Sequence, residues 1–135
     1  MKRILIIDDS NTARMIVRRC LEIVARGEVE FLEAADGKEA LKKLRKRPVD
    51  LIITDLNMPV MDGETLLKWI KRSPKTNDIP VVVISSAGNP AKNQQVLDLG
   101  ALTVISKPIS PEAINETMGS FLEAWEENGT SGRWG

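Results

Sequence analysis

Five short apolar runs rich in β-branched residues alternate with five segments whose apolar residues recur every three or four positions, and this alternation restricts the fold of the 135-residue chain more than any other feature. The first run is RILII, residues 3 to 7, and Ala13, Ile16, Val17, Cys20, Leu21 and Val24 then make one apolar helix face. VEFLEA, from Val29, carries charges and suits a sheet edge, and helix spacing returns at Gly37, Ala40, Leu41 and Leu44. DLII from Asp50 is a central strand, followed by a helix through Leu66, Leu67 and Ile70. IPVVVIS from Ile79 is apolar enough for a strand covered on both faces. Asn89 and Pro90 open a helix through Val96 and Leu97 as cap and first-turn residue, LTVI from Leu102 is a last strand, and Ser110 with Pro111 opens a final helix reaching Trp125. The expected architecture is a doubly wound α/β domain, a five-stranded parallel sheet between five helices, over residues 1 to 125. The polar, glycine-rich residues 126 to 135 read as a flexible tail, either the start of a linker or an expression remnant.

Charge and composition narrow the function. Nineteen basic residues balance 19 acidic ones, which removes the bulk electrostatic case for nucleic acid or an anionic membrane as a main partner. The single Cys20 cannot form an internal disulfide, and with no signal peptide or long apolar span a cytoplasmic setting is expected. There is no histidine, which excludes imidazole metal ligands, histidine bases and a phosphohistidine of the chain's own.

In open parallel α/β sheets ligands bind beyond the carboxyl ends of the strands, where strand order reverses. The first strand ends in Asp8, Asp9 and Ser10, the third in Asp55, the fourth in Ser85 and Ser86, and the fifth in Ser106, Lys107 and Pro108. For the strand order 2-1-3-4-5 the first and third strands are neighbours, and their carboxylates converge. Three carboxylates that close need a compensating cation, and an all-oxygen, histidine-free site suits Mg²⁺ better than zinc. Singly, each residue has a plainer reading: Ser10 or either aspartate as a helix cap, Asp55 and Asn57 as turn residues, the serines as a loop start, Lys107 as an exposed charge. Chemistry at the same end of four strands favours a site.

LIIDDS at 5 to 10, TDLNMPVMDG at 54 to 63, VVVISSAG at 81 to 88 and SKPI at 106 to 109 together resemble the receiver domain of two-component response regulators, over roughly residues 3 to 125. The opening IDDS with Arg14 is most similar to stand-alone chemotaxis-type receivers. The resemblance implies a flavodoxin-like fold, Asp55 as phosphoacceptor attacking a phosphohistidine, and Mg²⁺ held by Asp8, Asp9, Asp55 and the Asn57 carbonyl. It also implies that Ser85 and Lys107 contact phosphoryl oxygens and that the Lys107–Pro108 bond is cis. Partners would be a sensor histidine kinase or histidine phosphotransfer protein, and a downstream protein target on the helix 4, strand 5, helix 5 face, including Asn93, Gln94, Val104 and residues 112 to 116. Such a protein catalyses its own phosphorylation and dephosphorylation and turns over no separate metabolite.

Two positions depart from the family pattern. Val104 stands where many receivers carry an aromatic switch residue, leaving Ser85 and the loop from Ser86 to Pro90 to transmit the signal; Ala87 is small beside the path of the hydrolytic water. A hydrolase or nucleotide enzyme on the same fold lacks support, because no Walker loop, G-x-G-x-x-G or D-x-D nucleophile motif is present. A phosphate-independent interaction module and a receiver cut from a larger regulator are the remaining alternatives. KKLRKR at 42 to 47 reads as a solvated helix face, Cys20 as core, and Trp69 as an edge residue of the third helix.

Overall fold

The computed structural model describes residues 1–25, 27–86 and 88–128, with side-chain surroundings up to residue 125. The elements are β1 (Lys2–Ile7), α1 (Asn11–Val24), β2 (Val29–Ala34), α2 (Gly37–Lys46), β3 (Leu51–Asp55), α3 (Gly63–Arg72), β4 (Val81–Ser85), α4 (Pro90–Asp98), β5 (Thr103–Ser106) and α5 (Pro111–Asn128). All strand pairs are parallel and the order is β2-β1-β3-β4-β5, the flavodoxin-like arrangement expected from the alternation. The last helix continues to Asn128, three residues past the boundary drawn at Trp125, while Ala87 and the tail from residue 129 onward lie outside the described residues. Among the described residues no helix is long and apolar enough to cross a membrane.

Side chains that alternate along each strand feed two separate cores. Leu5, Ile7, Ile52, Val81 and Val83 face α2, α3 and α4, while Ile4, Ile6, Leu51, Ile53, Val82 and Ile84 face α1 and α5. Each such aliphatic residue, buried on the sheet, contributes about 1.5–3 kcal/mol. β2 is half-buried along most of its length, as a charged edge strand should be.

All five helices begin at a capping side chain. Ser10, Asp36, Asp62 and Asn89 each accept the N–H three residues on, and Ser110 does the same for Ala113 at the start of α5. Each cap stabilises its helix by about 1 kcal/mol. Ser10 therefore has the plain role that the sequence left open for it.

Two apolar positions do not behave as their spacing implies. Ile16 is 45% exposed and Leu97 39% exposed. On α1 the buried stripe runs through Val17, Cys20 and Leu21, and three residues before Val17 that stripe holds Arg14, which finds polar acceptors at the end of the sheet. Ile16, one residue before Val17, is turned about 100° away from it.

Gly63 fixes the distance between α3 and the end of β3. Its N–H donates to the Leu56 carbonyl at 2.8 Å, and a Cβ there would stand 2.5 Å from the Asp55 carbonyl oxygen and 2.9 Å from Leu56 Cα. Neither neighbour is a movable side chain. Gly63→Ala is expected to lower stability in urea denaturation by about 1–3 kcal/mol. Gly119→Ala in α5, whose Cβ would meet only the end of the exposed Asn115 side chain, should be neutral or stabilising by up to about 1 kcal/mol.

Candidate functional site

Strand register converts separate sequence positions into one site. β1 pairs with β3 so that Ile7 stands opposite Thr54, which puts Asp8 and Asp55 on the next rung. β3 and β4 pair Asp55 with Ile84, and β4 and β5 pair Ser85 with Ser106, so Ser85 and Lys107 follow at the same end of the sheet. The Lys107 N–H donates to the Ser85 carbonyl at 2.9 Å, continuing the ladder past the strands.

Asp8 and Asp55 are buried and Asp9 is exposed, and one carboxylate oxygen from each lies within 4.8 Å of the others. Lys107 Nζ is 3.0 Å from Asp55 Oδ1, an ion-pair contact, yet that buried oxygen receives no aligned hydrogen bond. A buried carboxylate oxygen whose one cationic neighbour is a half-exposed lysine, inside an all-carboxylate group, fits a hard divalent cation such as Mg²⁺. Burial holds the Asp8 carboxyl above its ordinary range; the Asp55 charge adds to this, while the Ser10 N–H and Lys107 oppose it. Asn57, two residues past Asp55, is exposed in the following loop. The same loop holds Val60 at a φ of 69°, a conformation costing a β-branched residue about 1–3 kcal/mol. The Lys107–Pro108 peptide is cis.

Ser85 reaches the site's edge but its hydroxyl is engaged elsewhere. Its Oγ donates to Asn93 Oδ1 on α4 at 2.9 Å. Asn93, expected on a protein-binding face of α4, is half-buried and hydrogen-bonded to Ser85. Val104 is half-buried against the core on the α4 side of the sheet.

Arg14 supports the acidic cluster from below. Its guanidinium donates to the Asp8 carbonyl and to Asn11 Oδ1, and its Nε donates to Glu33 Oε1 at 2.8 Å. A buried arginine thus ties α1 to the backbone of β1 beyond its last residue and to edge strand β2. No spacing rule points to this role. The one available signal was a charge falling in step with the apolar residues of α1.

Comparison with known proteins agrees with this geometry. A family model described as the response regulator receiver domain matches residues 4–118. A chemotaxis protein CheY homologue from Campylobacter jejuni is 34% identical over 121 residues, covering 89% of this chain and 92% of that protein. Chemotaxis protein CheY1 from Helicobacter pylori is 33% identical over 117 residues, covering 86% and 93%. The solved structure of the chemotaxis response regulator CheY4 of Vibrio cholerae superposes with a TM-score of 0.77 at 33% identity, over 89% of this chain and 98% of that one.

Because burial and a neighbouring charge raise the Asp8 pKa, the native state takes up a proton there more readily than the unfolded chain. The associated stability is present below the ordinary value of 3.8 and is lost as pH rises through the raised native value. Asp8→Asn is therefore expected to raise the thermal midpoint at neutral pH in a chelating buffer by a few degrees, on the order of 1 kcal/mol. The difference from the unaltered protein should shrink as the pH approaches 4. Equal midpoints at pH 7 would contradict it.

Proposed function

The chain belongs to the response regulator receiver family, and from that premise we propose that it accepts one phosphoryl group on Asp55 and passes the change to a protein-binding surface. The donor is a phosphohistidine of a sensor kinase or histidine phosphotransfer protein. The observation that carries this reading is the buried Asp55 carboxylate at the end of β3, 3.0 Å from Lys107 and grouped with two further carboxylates.

Asp55 attacks phosphorus through a carboxylate oxygen; the new O–P bond forms as the P–N bond to imidazole breaks, and the imidazole leaves with the electron pair. Phosphoryl transfer requires positioning and charge neutralisation more than covalent assistance. Strand β3 supplies the positioning, since Asp55 closes a strand in which every residue is buried. Lys107 is half-exposed, so its ammonium is free to move from Asp55 to an incoming phosphoryl oxygen. Asp8, Asp9, Asp55 and the Asn57 carbonyl are the groups that would hold Mg²⁺, which when bound offsets the negative charge of the phosphoryl oxygens.

The hydrogen bond between Ser85 and Asn93 offers a route to the surface without an aromatic at position 104. The serine hydroxyl has one proton, and a phosphoryl oxygen is a stronger acceptor than an amide oxygen. On phosphorylation Ser85 donates to the phosphoryl group and Asn93 loses its partner. α4 is easily disturbed because Val96 is its only buried residue. The surface so altered comprises α4, β5 and α5, where Leu97 and Leu102 are exposed beside Gln94, Glu112 and Glu116.

Incubation with Mg²⁺ and acetyl phosphate should add a single phosphoryl group by intact mass, labile to hydroxylamine, and none to Asp55→Asn. Steady turnover of the phosphodonor without a mass adduct would favour an enzyme. Absence of both, with the cation shown to bind, would favour a phosphate-independent module. Asn93→Ala should leave phosphorylation intact while speeding amide exchange in α4 of the unphosphorylated protein about fivefold, the equivalent of one hydrogen bond of about 1 kcal/mol. Unchanged exchange in α4 would remove Asn93 from the route.

A further inference from the structure

A groove between α2 and α3 is left unassigned by the phosphoacceptor site and by the α4, β5, α5 surface. Two adjoining cavities of about 220 and 250 Å³ share Leu41, Arg45 and Trp69 in their walls. The floor is apolar, formed by Leu41, Leu44, Met61 and Trp69, with Trp69 52% exposed. Lys38, Lys42, Arg45 and Lys75 line the groove, and no acidic residue does.

The positive charge is concentrated here rather than spread over the molecule. Residues 37–47 and 63–75 hold ten of the chain's 19 lysines and arginines but only two of its 19 acidic residues. Some of these cations have internal work: Lys43 pairs with Glu39, Arg47 with Glu30, and Lys71 donates to the carbonyls of Asn77 and Ile79. The four lining the groove take part in no ion pair among the described residues. Lys38, Lys42 and Lys46 also follow one another at four-residue steps, and each like-charge step costs an isolated helix about 0.2–0.5 kcal/mol. Among the described residues no carboxylate pairs with Lys38, Lys42 or Lys46.

We propose that the α2–α3 groove docks an acidic amphipathic helix of a partner protein. A cleft between two helices with an apolar floor suits a third helix presenting side chains at i, i+3 or i+4 and i+7. Trp69 supplies a large, half-desolvated aromatic of the kind that anchors interfaces, and the lysines and arginine receive carboxylates at the rim. Nucleic acid would satisfy the rim but leave the apolar floor uncovered. A lipid surface would leave the recessed Leu41, Leu44 and Met61 uncovered, since Trp69 alone of the floor residues projects into solvent. Met61 belongs to the loop after Asp55 and packs against Gly37 at the head of α2, so the occupied groove adjoins the segment that leaves the phosphoacceptor. The proposal stands independently of whether Asp55 is phosphorylated.

The test is an NMR titration of the isotopically labelled full chain with a designed helical peptide of about 16 residues, leucines on one face and glutamates elsewhere. A peptide with lysine for every glutamate, a single-stranded oligonucleotide and anionic phosphatidylserine vesicles serve as the alternatives. The expected result is a set of shifts confined to α2, α3 and the Trp69 indole, weakened by salt and about tenfold weaker in Lys42→Glu/Arg45→Glu and in Trp69→Ala. Those side chains are exposed, and amide spectra of the variants report that the fold is kept. The proposal is overturned by an absence of shifts with the acidic peptide, by shifts centred on α4, β5 and α5, or by equal binding of the lysine peptide. Tighter binding of the oligonucleotide or the vesicles to the same face would also overturn it.

Discussion

Crowding of like charges at one end of the sheet is the constraint on which the rest of the structure turns. Asp8 and Asp55 are taken out of water and held with Asp9 within 4.8 Å of one another, an arrangement that isolated carboxylates would avoid. The sheet imposes it. Parallel pairing of β1 with β3 puts the two buried aspartates on adjacent strands, and two aliphatic cores lock that register by burying both faces. Lys107 and the Ser10 N–H relieve part of the strain. On the proposed reading, the charge they leave unrelieved is what a divalent cation would offset.

In the proposed function the same economy of partners carries the signal out of the site. Ser85 lies at the end of a wholly buried strand and cannot shift far, but its hydroxyl can exchange one acceptor for another. At rest the acceptor is Asn93, on a helix with a single buried residue. A rigid strand at the site is thus linked through one hydrogen bond to a loosely held helix facing outward. Val104 does not compete for this role, since an aliphatic side chain against the core has no polar group to exchange.

The sheet was legible because it is written in simple period. VVVIS is buried at every position and VEFLEA at almost none, so central and edge strands could be told apart from residue type alone. Asp8, Asp9, Asp55, Ser85 and Lys107 were legible for the same reason: each directly follows or closes an apolar strand, and strand ends converge. Residues that act across elements were not. Arg14 has the spacing of a core residue and the chemistry of a surface one, and only the position of α1 over the sheet end shows which prevails. Asn93 looked like an exposed helix residue because its partner is eight residues away on another element. Ile16 failed in the opposite sense: it is apolar and close to the stripe, but too far round the helix to reach the core.

The central claim is that strand register alone builds one cation site from Asp8, Asp9 and Asp55. Paramagnetic broadening by Mn²⁺, an oxygen-seeking stand-in for Mg²⁺, tests it directly on the labelled protein. The account predicts that substoichiometric Mn²⁺ erases amide signals at residues 8 to 10 and 55 to 57 first, that Mg²⁺ restores them, and that the Asp8→Asn/Asp55→Asn double variant shows neither effect. Broadening that centres on other acidic residues, or that survives in the double variant, would contradict it.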